Sequence, residues 1–390
     1  MSRHFFVFGI ARSGTNLLAR MIDRHPAAVC ALDPLLPYFK FLRNGIVDLH
    51  APAALRETFS PNAPLQDYYF QACGPALLDL LFESDGQVPL PAPELEYLRT
   101  LIVDRAALES PLLAEALTRT SGTSYKDFLD DVLRIIGQSK QGALWSGAKE
   151  VWAIDFLPVL SRMYPEAHFF LIERDPRAIV ASLLAMAEQD ASQAAHFISY
   201  VRHWRKAVAL GRQFASDGGM PERVQIVSYE RLVREPALVA QEVCAQLSLE
   251  YRAEMLEVSS AGWAGNSSYG DNRGIYGQSL EKWRKLLNRA TASAIDFVCA
   301  PEMTLTAYQT ASDQFGRLTP AIEGVFRTVN MNQASWRSDS GHVALDLGAE
   351  LLRYEMLKSG EEYQTAAVRE CFLSASAFRQ MRENCREKRV

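Results

Sequence analysis

The run Gly9-Ile-Ala-Arg-Ser-Gly-Thr15 combines two glycines, a cation and two hydroxyls. Set between a strand and a helix, such a run turns successive backbone N–H groups towards one point. The helix N-terminus adds its partial positive charge there, and the product is a concavity for anionic oxygens. Gly14 lets the backbone come close to the anion, and Ser13 and Thr15 add hydroxyl donors. The ATP and GTP loop GxxxxGK[ST] has the same two glycines, but Lys and then Ser or Thr follow the second one, for the β/γ-phosphates and Mg²⁺. Here Thr15 and Asn16 stand in those places, and the cation is Arg12. The loop can cradle a terminal phosphate, or a group bridged to it, without the usual metal-binding hydroxyl. Taken alone, it also reads as a glycine turn with a solvated arginine.

A second anion-binding pattern is Glu-Arg-Asp-Pro-Arg-Ala-Ile-Val-Ala-Ser over 173–182. Arg174 ends a strand, Asp175-Pro176 opens a helix, and Ser182 lies two turns into it. Ligands of parallel sheets bind at the C-terminal edge of the strands, where an arginine can grip a phosphate bidentately. Alone, RDPR reads most simply as a capped helix start with a surface arginine. The histidines (4, 25, 50, 168, 196, 203, 342) show no ligand spacing, and the six cysteines form no CxxC pair. No metal site, zinc site or disulfide framework is expected.

Both patterns need strand–turn–helix units to position them. RHFFVFG (3–9) is a continuous apolar strand, and LLARMIDRHP has helical spacing and ends before Pro26. AAVCALDP (27–34), ALWSGAKE (143–150), AHFFLIER (167–174) and RVQIVSY (223–229) read as further strands. Helices are expected over about 154–163, 176–189 and 192–215, after Pro236, and over 279–288 and 291–299. Buried strands alternating with helices imply a parallel sheet. Residues 35–140 lack this alternation and read as a mostly helical insertion with a Pro-rich bend. Its aromatic residues (Tyr38, Phe39, Phe41, Phe59, Tyr68, Tyr69, Phe70, Phe82) either form the core of a helical lid or line an apolar pocket. Residues 259–278 read as a loop, and 301–390 as a mostly helical extension.

The 390 residues are 48% hydrophobic and 22% charged, an ordinary globular composition that excludes a disordered or fibrous chain. The net charge of −5 argues against a nucleic-acid or anionic-membrane binder. The apolar run Phe5–Ala11 meets Arg12 at once, and no run approaches the 18 apolar residues of a membrane span. A cytoplasmic protein in a reducing compartment is the expectation.

The order GxxRSGT…HP…RDPR…S, followed by SYERLV and SLEKWRKL, resembles the sulfotransferases that use 3′-phosphoadenosine 5′-phosphosulfate (PAPS). The likeness covers about residues 3–40 and 143–300, and the branches that sulfate tyrosine and carbohydrates look most similar. It implies a P-loop-type three-layer α/β fold with a central parallel sheet. Residues 1–300 would be the sulfotransferase domain, with an acceptor-side insertion at about 35–140. Residues 301–390 would be a helical extension packed on or beside it, or a homodimer contact.

By this resemblance Arg12, Ser13, Gly14, Thr15 and Asn16 bind the 5′-phosphosulfate, with Asn16 where the family usually has Thr or Ser. Arg174 and Ser182 match the 3′-phosphate pair, and Arg273 is a further candidate for it. Tyr229 matches an adenine contact, or else is a strand-end core tyrosine. Ser279, Lys282 and Trp283 match the late S…KW segment, whose Ser approaches the sulfate end. Sulfuryl transfer passes through a loose in-line transition state, so positioning, cations and a base for the acceptor suffice without a metal. Arg12 would stabilise the bridging and leaving oxygens. Lys149 would grip the sulfuryl oxygens, unless it is a surface lysine. Asp33 would be the general base, at the matching distance after the loop, where the family has Glu; a simple turn at Asp33-Pro34 is the alternative. Glu150 and Asp155 are other candidate bases. The acceptor would be a small-molecule, lipid or glycan hydroxyl, or an amine. The competing readings are a kinase or NTPase with a degenerate P-loop, and a non-catalytic nucleotide-binding protein.

Overall fold

The computed structural model describes residues 3–65, 74–187, 197–216, 220–258, 275, 280–310, 315–328 and 342–387. Five strands form one sheet: β1 (Arg3–Gly9), β2 (Ala28–Leu32), β3 (Trp145–Val151), β4 (His168–Glu173) and β5 (Val224–Ser228). Their order is β2-β3-β1-β4-β5, and every pairing is parallel. All five stand where the apolar runs of the sequence place them. Helices cover both faces, so the strands are apolar on both sides and read as continuous runs rather than alternating ones.

On one face Phe5, Val7, Phe170 and Ile172 pack against α1 (Thr15–Asp23). Also on that face, beyond α11 (Tyr229–Arg234), is α12 (Pro236–Gln246). On the other face Phe6, Phe8, Phe169 and Leu171 meet α8 (Leu157–Met163) and α10 (Phe197–Ser216). The helix α9 (Pro176–Ala187) joins β4 to α10. The chain leaves β1 for the β2 side and later crosses to the β4 side, so the order reverses at β1. That reversal opens a crevice at the C-terminal ends of the strands. The register aligns those ends: Gly9 pairs with Val151 and Ile172, Leu32 with Lys149, and Glu173 with Ser228. The residues that follow each strand therefore share one rim.

Between β2 and β3 the described residues form α2 (Leu36–His50), α3 (Ala53–Thr58), α4 (Gly74–Glu83), α5 (Ala92–Ala107), α6 (Pro111–Leu117) and α7 (Tyr125–Gln138). Ser124 and Asp127 close α7 with a capping box. Tyr38 and Phe39 are fully buried among Tyr125, Phe128 and Phe156, and Phe41, Phe59 and Phe82 pack against the same core. Of the two readings of these aromatics, the core one holds, because burying such rings is what stabilises a helical layer. Tyr68, Tyr69 and Phe70 lie outside the described residues.

The C-terminal part holds α13 (Trp283–Leu286), α14 (Arg289–Met303), α15 (Pro320–Thr328), α16 (His342–Lys358), α17 (Thr365–Phe372) and α18 (Ala375–Glu387). Helix is described over only four residues of the expected 279–288 span, because Leu287 turns extended ahead of the Asn288 cap of α14. A buried network joins Arg353 to Glu302 and to Glu350 (2.9 Å), and Arg205 of α10 pairs with Glu350. Arg369 pairs with Asp79 of α4. The extension is thus fastened to α10 and to the insertion. No helix of the described residues is long and apolar enough to cross a membrane.

Candidate functional site

The β1–α1 turn is tight. Arg12 and Gly14 both take left-handed backbone angles, φ 72° and 101°. The Ser13 amide and hydroxyl both donate to the Ile10 carbonyl, at 3.1 and 2.7 Å. Ser13 is fully buried, so its hydroxyl shapes the loop, whereas the sequence suggested a donor to the ligand. A Cβ on Gly14 would lie 2.3 Å from Cδ2 of Tyr229, so position and conformation both require glycine. Thr15 and Asn16 open α1 and are buried, and Asn16 Oδ1 has no hydrogen-bond partner among the described residues.

RDPR and its serine meet this loop directly. Arg12 Nε donates to Ser182 Oγ at 2.9 Å, and Arg174 Nη1 donates to the Arg12 carbonyl at 2.8 Å. The Arg174 guanidinium lies 4.2 Å over the Tyr229 ring, and its buried Nε has no acceptor among the described residues. Trp204 of α10 donates to the Arg174 carbonyl at 2.8 Å, fixing the end of β4. Burial, followed by the neighbouring Arg174 charge, pulls the Arg12 guanidinium down to about 10. Two cations held side by side in a partly desolvated crevice favour an anion between or beside them. The two sequence motifs form one continuous cationic cradle.

Arg177, the second arginine of RDPR, does other work. It pairs with Asp175 (2.8 Å) and with Asp296 of α14 (3.2 Å), and lies 4.2 Å over the Trp283 ring. Trp283 packs on Ala178 and Ala181 of α9, the helix that carries Ser182. Trp283 thus buttresses the cradle from behind, and Lys282 directly precedes it. Arg273 and Ser279 lie outside the described residues.

At the other end of the rim, Lys149 and Asp33 form an ion pair across the ends of β3 and β2. Lys149 is buried, which excludes the surface-lysine reading, while the Asp33 side chain keeps 29% exposure. Asp33 is held at φ 54°. Its amide donates to the Lys149 carbonyl (2.9 Å), and its carbonyl accepts from Arg105 Nε of α5 (2.8 Å). Glu150 is buried and accepts the Leu35 amide. Burial first, and the Asp33 charge second, push its carboxyl well above the usual carboxylate range. Asp155 is withdrawn as a candidate base, because it is fully buried in an ion pair with Lys206 (2.9 Å). His25 lies 2.9 Å from the Glu250 carbonyl and accepts the Ala27 amide, a structural role at the end of α1.

Three contributors were not singled out in the sequence. Arg105 comes from the insertion, Trp204 from α10, and Tyr200 of α10 stands edge-on to Trp152 with centroids 4.7 Å apart. Burial raises the Tyr200 phenol, and the Arg12 charge opposes that shift. None belongs to a local motif, so no spacing signal marks them.

A model described as "Sulfotransferase family" matches residues 4–253. A Caenorhabditis briggsae protein, provisionally named a protein-tyrosine sulfotransferase, is 22% identical over 323 residues, covering 79% of this chain and 90% of its own length. Among solved structures, the sulfotransferase domain of the Synechococcus PCC 7002 olefin synthase is 16% identical. It covers 79% of this chain and 96% of the domain, with a TM-score of 0.48. The sulfotransferase domain of the curacin biosynthetic pathway is 17% identical, covers 74% and 93%, and has a TM-score of 0.44.

Proposed function

The chain belongs to the sulfotransferase family, and on that premise we propose that it moves the sulfuryl group of PAPS to a hydroxyl acceptor, or to an amine. The contact chain Arg174–Arg12–Ser182 carries this reading, because it merges both phosphate motifs into one cradle at the sheet edge. The buried Arg174 Nε, a donor with no acceptor among the described residues, suits a ligand with anionic oxygens. The missing Lys-Ser/Thr pair disfavours the kinase or NTPase alternative.

In this reading Arg174 and Ser182 hold the 3′-phosphate, with Arg273 as a further candidate. The backbone of Arg12–Asn16 holds the 5′-phosphosulfate. Tyr229 supports both from below, stacked under Arg174 and against Gly14, and its adenine contact rests on the resemblance alone. PAPS supplies the activated sulfuryl group. Arg12 neutralises charge on the leaving phosphate oxygen, and Lys149 and Ser279 steady the sulfuryl oxygens. Asp33 takes the acceptor proton, for which its carboxylate must come within ~3 Å of that hydroxyl. Lys149 holds the Asp33 carboxylate in an ion pair while the acceptor is absent. The acceptor class is a small-molecule, lipid or glycan hydroxyl. A reducing, cytoplasmic location is also proposed, supported by five described cysteines that form no disulfide, four of them buried.

Ligand-induced melting tests the assignment. Adenosine 3′,5′-bisphosphate should raise the melting temperature in EDTA, and ATP with Mg²⁺ should not. The reverse pattern would favour the kinase reading.

A further inference from the structure

The Asp33 backbone sits in a conformation that few residues other than glycine adopt, and only Asn, Asp and His enter it with any frequency. Such a conformation persists only where the surroundings over-determine it. Three contacts do so here. The β3 backbone takes the Asp33 amide, Arg105 takes its carbonyl, and Glu150 takes the amide of Leu35, two residues on. Leu35 is itself fully buried and starts α2, so its amide is the hinge between the catalytic rim and the insertion.

We propose that Glu150 is a positioning residue for Asp33: by accepting the Leu35 amide it holds the turn that aims the Asp33 carboxylate at Lys149. This rests on the reading of Asp33 as the base. Lys149 and Glu150 are neighbours on β3, so their side chains leave opposite faces of the sheet. One therefore grips the Asp33 carboxylate while the other grips the backbone beyond it, and the turn is clamped from both sides of the strand. Glu150 Oε2 and Asp33 Oδ1 are both buried without a hydrogen-bond partner among the described residues. The clamp needs only an acceptor oxygen. Burial disfavours the ionised form of Glu150, so a neutral carboxamide should serve as well. Arg105 and Lys149 supply the nearby positive charge that tempers this shift.

The test uses the full chain, with PAPS and 2-naphthol as the probe acceptor, and crystal structures of the variants. Glu150→Gln keeps the acceptor oxygen and should retain kcat within about threefold. Glu150→Leu removes it and should lower kcat by about 10- to 100-fold, the scale of a one-ångström misplacement. KM for PAPS and bisphosphate affinity should stay unchanged. Should the Leu variant not fold, Glu150→Asp, one methylene too short, should show the same kcat loss. Independently of any acceptor, the Asp33–Lys149 contact should persist in the Gln crystal structure and be lost in the Leu or Asp one. Full turnover in Glu150→Leu, equal losses in Gln and Leu, or an undisturbed ion pair in both crystals would overturn the proposal. Asp33→Asn with undiminished turnover would instead remove the base assignment and leave the turn geometry standing.

Discussion

Arg174 reaches from the end of β4 to donate a hydrogen bond, at 2.8 Å, to the main-chain carbonyl of Arg12 beyond β1. The same guanidinium stacks on Tyr229, which opens α11 directly after β5, so one side chain ties together the residues that follow three strands at the rim. A planar, stacked fork is what lysine cannot imitate. Arg174→Ala should weaken binding of adenosine 3′,5′-bisphosphate by about 10- to 150-fold, the range of a lost charged hydrogen bond. Arg174→Lys should recover little of it, as read by calorimetry.

Gly14 bears on the same cradle from below. Its φ of 101° and the 2.3 Å approach to Tyr229 leave no room for a methyl group. Gly14→Ala should abolish measurable bisphosphate binding and lower the melting temperature. Adding Tyr229→Ala relieves the clash but not the backbone strain, so the double variant should regain stability without regaining affinity. Thermal melts with and without ligand separate the two.

Lys149 is buried against a carboxylate that keeps 29% exposure, so the acid is the solvent-facing member of the pair. Lys149→Met should lower kcat by roughly 10²–10³, as loss of a single oxyanion donor does. Asp33→Asn should lower single-turnover transfer comparably, with bisphosphate affinity unchanged.

Much of this site is legible in the sequence because it is local. Gly9–Thr15 and Arg174–Ser182 each carry their geometry within ten residues, and the apolar runs place all five strands. The pairing of Arg12 with Ser182 is not legible, because it depends on β1 and β4 being neighbours. Arg105 and Trp204 escape for the same reason: each acts through one long-range contact to a backbone group. Composition also misleads at Ser13, where a loop hydroxyl turns inward to close the turn. The insertion aromatics could not be divided between pocket and core from spacing, since both uses want the same rings.

Stability should depend on pH through His4 and His168. Burial, the largest cause for each, lowers both below the ordinary 6.5, with Ser146 opposing for His4 and Arg223 and Arg3 adding for His168. The folded chain therefore binds fewer protons than the unfolded one as pH falls through 6.5 towards the lowered values. Stability is fully present above that range and is lost as the pH falls through it. The melting temperature should drop between about pH 7.5 and 5.5, and His4→Gln with His168→Gln should flatten the dependence.

The Arg353–Glu302–Glu350–Arg205 network predicts a different response. Glu302→Ala leaves buried guanidinium charge uncompensated, and removing one partner of such a pair costs about 3–5 kcal/mol. Urea denaturation should show this loss. Bisphosphate affinity, corrected for the folded fraction, should be unaffected.

The most direct measurement is calorimetric titration in EDTA with adenosine 3′,5′-bisphosphate, adenosine 5′-monophosphate and adenosine 3′-monophosphate. If one cradle grips both phosphates, the bisphosphate should bind about 10- to 150-fold more tightly than either monophosphate. Equal affinity for all three, or binding that requires Mg²⁺, would contradict a shared cradle for the two ends of PAPS.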